Sequence, residues 1–106
     1  MVELVSKAQL RAAVMKLGNK SHIYSTANLK STDEYRMSLG WHPGYRNKKF
    51  SDVAAADWDD CNRRRDVLIQ KLEEKWPQLR GHVRSTYHIA SGIYLSLRVD
   101  NCVLTR

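Results

Sequence analysis

Residues 51–89, SDVAAADWDDCNRRRDVLIQKLEEKWPQLRGHVRSTYHI, decide the fold, because a long helix runs through a proline into a strand there. Ala54, Trp58, Cys61, Leu68, Leu72 and Trp76 recur at helical spacings, which gathers them on one face of a 3.6-residue helix over 54–76. Arg65 interrupts this stripe; its aliphatic stem packs while its charged head reaches the edge. Ser51 or Asp52 is placed to cap the helix, and Asp57, Asp59 and Asp60 sit near its positive end. Trp76-Pro77 is the stop, since the residue before a proline is pushed out of helical geometry. Residues 81–89 then alternate with the period of a strand.

Upstream, Ser6 reads as the N-cap of a first helix, with Val5 stapling onto Leu10. Leu10, Val14 and Leu17 form its stripe, and Gly18 is placed to close it in a left-handed C-cap. A strand over 21–29, a polar turn at 30–33 and a strand over 34–41 follow. In the second of these strands Tyr35, Met37, Leu39 and Trp41 share one face, and Arg36 and Ser38 the other. The loop at 42–49, HPGYRNKK, carries a Pro-Gly turn signal. Downstream, a tight turn at 90–92 leads into a strand over 92–99, with Ile93, Leu95, Leu97 and Val99 inward and Tyr94, Ser96 and Arg98 outward. In the tail, Cys102, Val103 and Leu104 either extend a strand or cover an edge of the core.

The expected architecture is therefore a single α+β domain spanning 1–106, in α-β-β-α-β-β order: a two-layer sandwich with both helices on one face of a four-stranded antiparallel sheet. HIYST at 22–26 matches HVRST at 82–86, and MSL at 37–39 matches LSL at 95–97. These matches suggest half-repeats over 5–41 and 54–99, although two unrelated helix-hairpin units would give the same order.

A chain of 106 residues holds one modest core. No apolar run reaches membrane-spanning length, and MVELVSKAQLRAAV reads as a cap plus an amphipathic helix rather than a signal peptide. The expected location is the cytoplasm, that of the host cell for a phage-encoded protein. Two cysteines are too few for a disulfide framework and read as free thiols of a reducing compartment. Eighteen basic against eleven acidic side chains give a formal charge of +7, which favours an anionic partner, most commonly nucleic acid. Charge spread evenly for solubility is the plainer alternative.

With the helices on one side, alternation leaves His22, Tyr24, Thr26, Arg36, Ser38, His82, Arg84, Thr86, His88, Tyr94, Ser96 and Arg98 on the other, without a carboxylate. Interleaved arginines and aromatic rings suit single-stranded nucleic acid: bases stack on the rings while guanidinium groups hold phosphates. The expected contacts are Tyr24, Arg36, His82, Arg84, His88, Tyr94 and Arg98, extended by Tyr45, Arg46, Lys48 and Lys49 of the basic loop. A solvated face, a homodimer interface, or a one-residue register slip that swaps the faces is the competing reading.

Catalytic signatures are missing. His22 and His82 are each followed by Ser-Thr, but the hydroxyls lie three and four residues on, not two as in the two-histidine phosphoesterases. Cys61 and Cys102 lack paired Cys/His spacing for zinc, and no phosphate-cradling glycine loop or Gly-x-Ser-x-Gly elbow occurs. The expectation is a non-enzymatic binding protein without a cofactor or a metal.

The run KLEEKWPQLRGHVRSTYHIASGIYLSLRVD, at 71–100, resembles a small accessory domain of phages and conjugative elements. Trp76-Pro77, Val83-Arg84-Ser85 and the strand at 93–96 carry this likeness. The helix, aromatic-Pro and Gly-His-Val strand are also similar to SOS-response modulators of the DinI kind. Neither resemblance covers the first half. Each implies a mobile-element origin, and hence a small protein that binds nucleic acid or, alternatively, blocks a host nucleic-acid-handling or defence complex such as a CRISPR effector.

Overall fold

Alternation and helical spacing produce the expected elements in the expected order. The structure is a computed structural model that describes residues 3–18 and 22–105. Helix α1 (Lys7–Leu17) leads into strands β1 (Ile23–Leu29) and β2 (Glu34–His42); helix α2 (Ala55–Lys75) leads into β3 (Val83–Ile89) and β4 (Ile93–Asp100). Ser21, expected to begin β1, lies outside the described residues. The strands form one antiparallel sheet in the order β1-β2-β4-β3, so the second strand of each half lies in the middle. No helix among the described residues is long and apolar enough to cross a membrane.

Inward residues of the central strands make the core. Met37, Leu39, Leu95, Leu97 and Val99 are fully buried beneath Leu10 and Val14 of α1 and Leu72 of α2. Each such side chain contributes roughly 1.5–3 kcal/mol. Cys61 and Leu68 continue the α2 stripe into this core, while Trp58 and Trp76 pack at its margin. Trp41 ties β2 to α2: its indole N–H donates to the Cys61 carbonyl (3.0 Å), and the Arg64 guanidinium lies over its ring at 4.3 Å. Arg65 sits at the edge as expected, 5.8 Å from the Tyr87 ring centroid and paired with Asp66.

The tail covers an edge of the core. Val103 and Leu104 are buried, and Leu104 forms a parallel bridge with Val5. Val5 N–H donates to the Val103 carbonyl (2.9 Å), and Thr105 N–H to the Val5 carbonyl (2.9 Å).

Three local expectations are corrected. Gly18 closes α1 with φ −73°, an ordinary right-handed conformation rather than the left-handed cap. Neither Ser51 nor Asp52 caps α2; both belong to a 3₁₀ turn (Phe50–Asp52), and Ala54 is the N-cap residue without a side-chain hydrogen bond of its own. The Tyr45 hydroxyl takes over instead, accepting from Ala54 N–H (3.1 Å) and donating to Asp57. Finally, a β-bulge between Ile23 and Ser25 turns β1 by one residue, so Thr26 pairs with Met37 on the helix side and Ser25 pairs with Ser38 on the uncovered side.

Candidate functional site

Both helices shelter one side of the sheet, and the opposite side is organised by its cross-strand pairing into four rungs. Successive same-side rungs along a strand lie about 7 Å apart.

Aromatic side chains make the first rung. Gly40 pairs with Tyr94, and Tyr94 with His88. The bulged Tyr24 lays its ring over Gly40, where an added Cβ would stand 2.5 Å from the ring. Glycine in this strand thus makes the space for the tyrosine. The Tyr24 and Tyr94 rings meet at 5.3 Å between centroids, tilted by 40°, and His88 stands 5.0 Å from Tyr94. His22 meets Tyr24 edge-on at 6.4 Å. Ser91 anchors the Tyr94 hydroxyl. Beside this rung opens a cleft of about 450 Å³ whose walls include His22, Tyr24, Trp41, His42, Arg64 and Tyr94.

Hydroxyls make the second rung: Ser25, Ser38, Ser96 and Thr86 pair in sequence across all four strands. Arginines make the third, where Arg36 faces Arg98 and Arg98 faces Arg84. Like charges set directly opposite each other on neighbouring strands oppose folding by roughly 0.2–1 kcal/mol. Arg36 and Arg98 have no carboxylate partner among the described residues, and both Nε atoms are buried without a hydrogen bond. Arg98 Nη2 reaches Thr86 Oγ1 at 3.4 Å.

Acids make the fourth rung and correct the expectation of a carboxylate-free face. Glu34 pairs with Asp100 on the same side as Arg36 and Arg98. Arg84 donates to both, at 3.1 Å to Glu34 and 2.7 Å to Asp100, and His82 Nδ1 lies 2.9 Å from the second Asp100 oxygen. Burial pushes the Asp100 carboxyl up, but the hydrogen bonds and charges of His82 and Arg84 outweigh this and hold it below its ordinary value. The hydrogen bond to Asp100 in turn raises Arg84 above its ordinary value.

The expected contact residues therefore fall into three groups. Tyr24, Arg36, His88, Tyr94 and Arg98 share the uncovered face with unengaged polar or aromatic surface. His82 and Arg84 lie on that face too, but their polar groups are committed to Glu34 and Asp100. Tyr45, Arg46, Lys48 and Lys49 belong to the loop beyond β2. Tyr45 is turned away to α2, and its hydrogen bond to Asp57 raises its phenol above the ordinary value. Asn47 N–H donates to the Ala90 carbonyl (2.9 Å), which pins this loop against the β3–β4 turn; Arg46, Lys48 and Lys49 are exposed. Sequence reading placed Ser38, Thr86 and Ser96 on this face but missed Ser25 as the fourth hydroxyl, and it missed the Gly40 seat. The bulge signal is weak in sequence, whereas a glycine inside an otherwise regular strand is a usable sign of close approach.

Comparison with known proteins yields no match: no family model, no curated protein and no solved structure matches this chain.

Proposed function

We propose that the chain binds single-stranded nucleic acid on its uncovered sheet face, bases resting on the Tyr24–Tyr94–His88 rung and phosphates on Arg36 and Arg98. One observation carries this reading: two adjacent arginines without carboxylate partners among the described residues stand two rungs from an exposed aromatic row. Arginines set against each other oppose folding, so a polyanion is the ligand that turns the arrangement favourable. Exposed rings favour unpaired bases, because a duplex keeps its π-faces buried in the stack. The hydroxyls between the two rungs are suited to sugar and phosphate oxygens. The reading is of binding without catalysis, in a protein of phage or mobile-element type.

A block on an acidic host protein would use the same cations but leaves the aromatic rung without a purpose. Fluorescence anisotropy of short single-stranded DNA and RNA oligonucleotides separates the two. The expected outcome is micromolar affinity at low salt, with log K falling by roughly 0.7 per phosphate contact as log salt rises, and weaker binding of a duplex of equal length. Affinity indifferent to salt, or unaltered in an Arg36→Gln/Arg98→Gln variant, contradicts the proposal. A protein captured from nuclease-treated host lysate by the same arginines would support the inhibitor reading in its place.

A further inference from the structure

The acid corner of the uncovered face brings together three side chains of different donor chemistry, His82 standing 18 and 20 residues before the neighbouring pair Asp100 and Cys102. His82 precedes β3, Asp100 ends β4, and Cys102 lies in the 3₁₀ turn that follows (Asn101–Val103). His82 Nδ1 stands 2.9 Å from Asp100 Oδ2 and 4.0 Å from Cys102 Sγ, and the three donor atoms all lie within 4.8 Å of one another. The geometry points to a zinc-type divalent metal site formed by His82 Nδ1, Asp100 Oδ2 and Cys102 Sγ.

Four features of the corner fit that assignment. Tetrahedral legs of about 2.0–2.3 Å place neighbouring donors roughly 3.3–3.6 Å apart. The nitrogen–oxygen pair therefore has to open, and the nitrogen–sulfur pair to close, by a few tenths of an ångström, while the oxygen–sulfur pair, within 4.8 Å, has to close by up to about an ångström through rotation of the exposed Cys102 side chain. Both Asp100 and Cys102 approach the same imidazole nitrogen, Nδ1. That convergence suits one shared ion, whereas a Cys-His-Asp relay needs the thiol and the carboxylate on opposite ring nitrogens. Arg84 holds the other Asp100 oxygen at 2.7 Å, the outer hydrogen bond that orients a ligating carboxylate. Charge also closes: the dication and Arg84 together balance Glu34, Asp100 and a Cys102 thiolate. On loading, the Cys102 thiol proton passes to solvent, and the proton that His82 Nδ1 shares with Asp100 leaves that nitrogen, so the neutral ring carries its proton on Nε2 and offers the Nδ1 lone pair to the ion.

Donor chemistry selects the ion. Thiolate and imidazole favour zinc, cobalt or cadmium over magnesium and calcium, which prefer oxygen. Three protein donors leave the fourth position to water. Cys102 is exposed and His82 and Asp100 are partly so, which gives the ion direct access from solvent. This inference is independent of nucleic acid.

Titration of the reduced full chain with Zn²⁺ alone, and with Co²⁺ alone as a spectroscopic probe, tests it. The expected result is one ion per chain, a thiolate-to-cobalt charge-transfer band, and no comparable response to Mg²⁺. Cys102→Ser should abolish the band, His82→Asn should weaken binding at least tenfold, and Cys61→Ala, at the buried thiol, should retain both. Circular dichroism of each variant checks that the fold persists. Absence of binding at about 100 µM metal, binding that survives both Cys102→Ser and His82→Asn, or one ion shared between two chains would overturn the assignment.

Discussion

Arg36 and Arg98 face each other on the two central strands, and this pair is the residue-scale feature on which the functional reading turns. A cross-strand pair of like charge opposes folding by about 0.2–1 kcal/mol. Arg36→Gln or Arg98→Gln should therefore leave thermal stability unchanged or slightly higher while weakening oligonucleotide binding roughly tenfold and flattening the salt slope by about 0.7. A loss of stability that tracks the loss of binding would assign the pair to folding instead. Gly40 gives a second residue-scale test. Gly40→Ala places a methyl where the Tyr24 ring lies. Because that ring is 63% exposed, it can swing away cheaply, so affinity should fall while the denaturation midpoint barely moves. Asp100 has a folded-state pKa below its unfolded value. The unfolded chain thus binds more protons in acid, and this stabilisation, present above the ordinary carboxylate pKa, is lost as pH falls through the folded value. Asp100→Asn should flatten the acid limb of a stability–pH profile below about pH 4 and leave the alkaline limb alone. These assignments were only partly legible in sequence. Alternation placed Arg36, Arg98, Tyr94 and Ser96 correctly, because β2 and β4 pair in constant register from the Glu34 and Asp100 pair to the Gly40 and Tyr94 pair, the shift in that ladder coming only beyond Gly40. It misplaced Thr26, because a bulge adds a residue without changing the pattern of apolar letters. It also overlooked Glu34 and Asp100, whose places at strand ends made them read as boundary residues although strict parity puts both on the arginine side.

At the scale of elements, spacing and alternation specified type and order, and tertiary contacts decided the ends. Helix α2 has apolar residues at the right intervals, so its buried stripe was readable from Cys61 to Leu72. Its N-terminal cap was not, since the Tyr45 hydroxyl that serves it lies nine residues before Ala54, in a loop. Tyr45 adopts φ 72°, a left-handed conformation that a tyrosine enters at some cost, and its hydrogen bonds to Asp57 and Ala54 hold it there. Tyr45→Phe should lower stability by about 1 kcal/mol, the ordinary worth of a cap, and leave oligonucleotide affinity unchanged. A fall in affinity at constant stability would return Tyr45 to the binding surface. The two hairpins illustrate a different limit. Met37-Ser38-Leu39 and Leu95-Ser96-Leu97 pair about the Ser38–Ser96 rung, so that match in sequence is a match in position. The HIYST and HVRST segments are out of phase by one: Ser25 pairs with Ser38, whereas Thr86, not Ser85, pairs with Ser96. Letters repeat there, but faces do not.

For the whole molecule, the formal charge of +7 would supply attraction for the proposed ligand at a distance, and the layering decides which arginines stand on the uncovered face. Both α-β-β halves contribute one central strand, and pairing those strands antiparallel brings the outward arginine of each into the same rung. Among the described residues, neither half alone presents two arginines without carboxylate partners beside an aromatic row. The acid rung at one end and the aromatic cleft at the other give the face a direction, so a strand lying along it should bind in one polarity. Composition made the positive charge readable; the alternation made most of the face readable; the gradient along it required the register. Backbone amide shifts of the labelled protein titrated with a short single-stranded oligonucleotide test the central claim most directly. The account predicts shifts confined to the uncovered strands, strongest around Tyr24, Ser38, Tyr94, Ser96 and Arg98, with α1 and the exposed side of α2 unmoved. Shifts centred on the helices, or none at all at low salt, would contradict it.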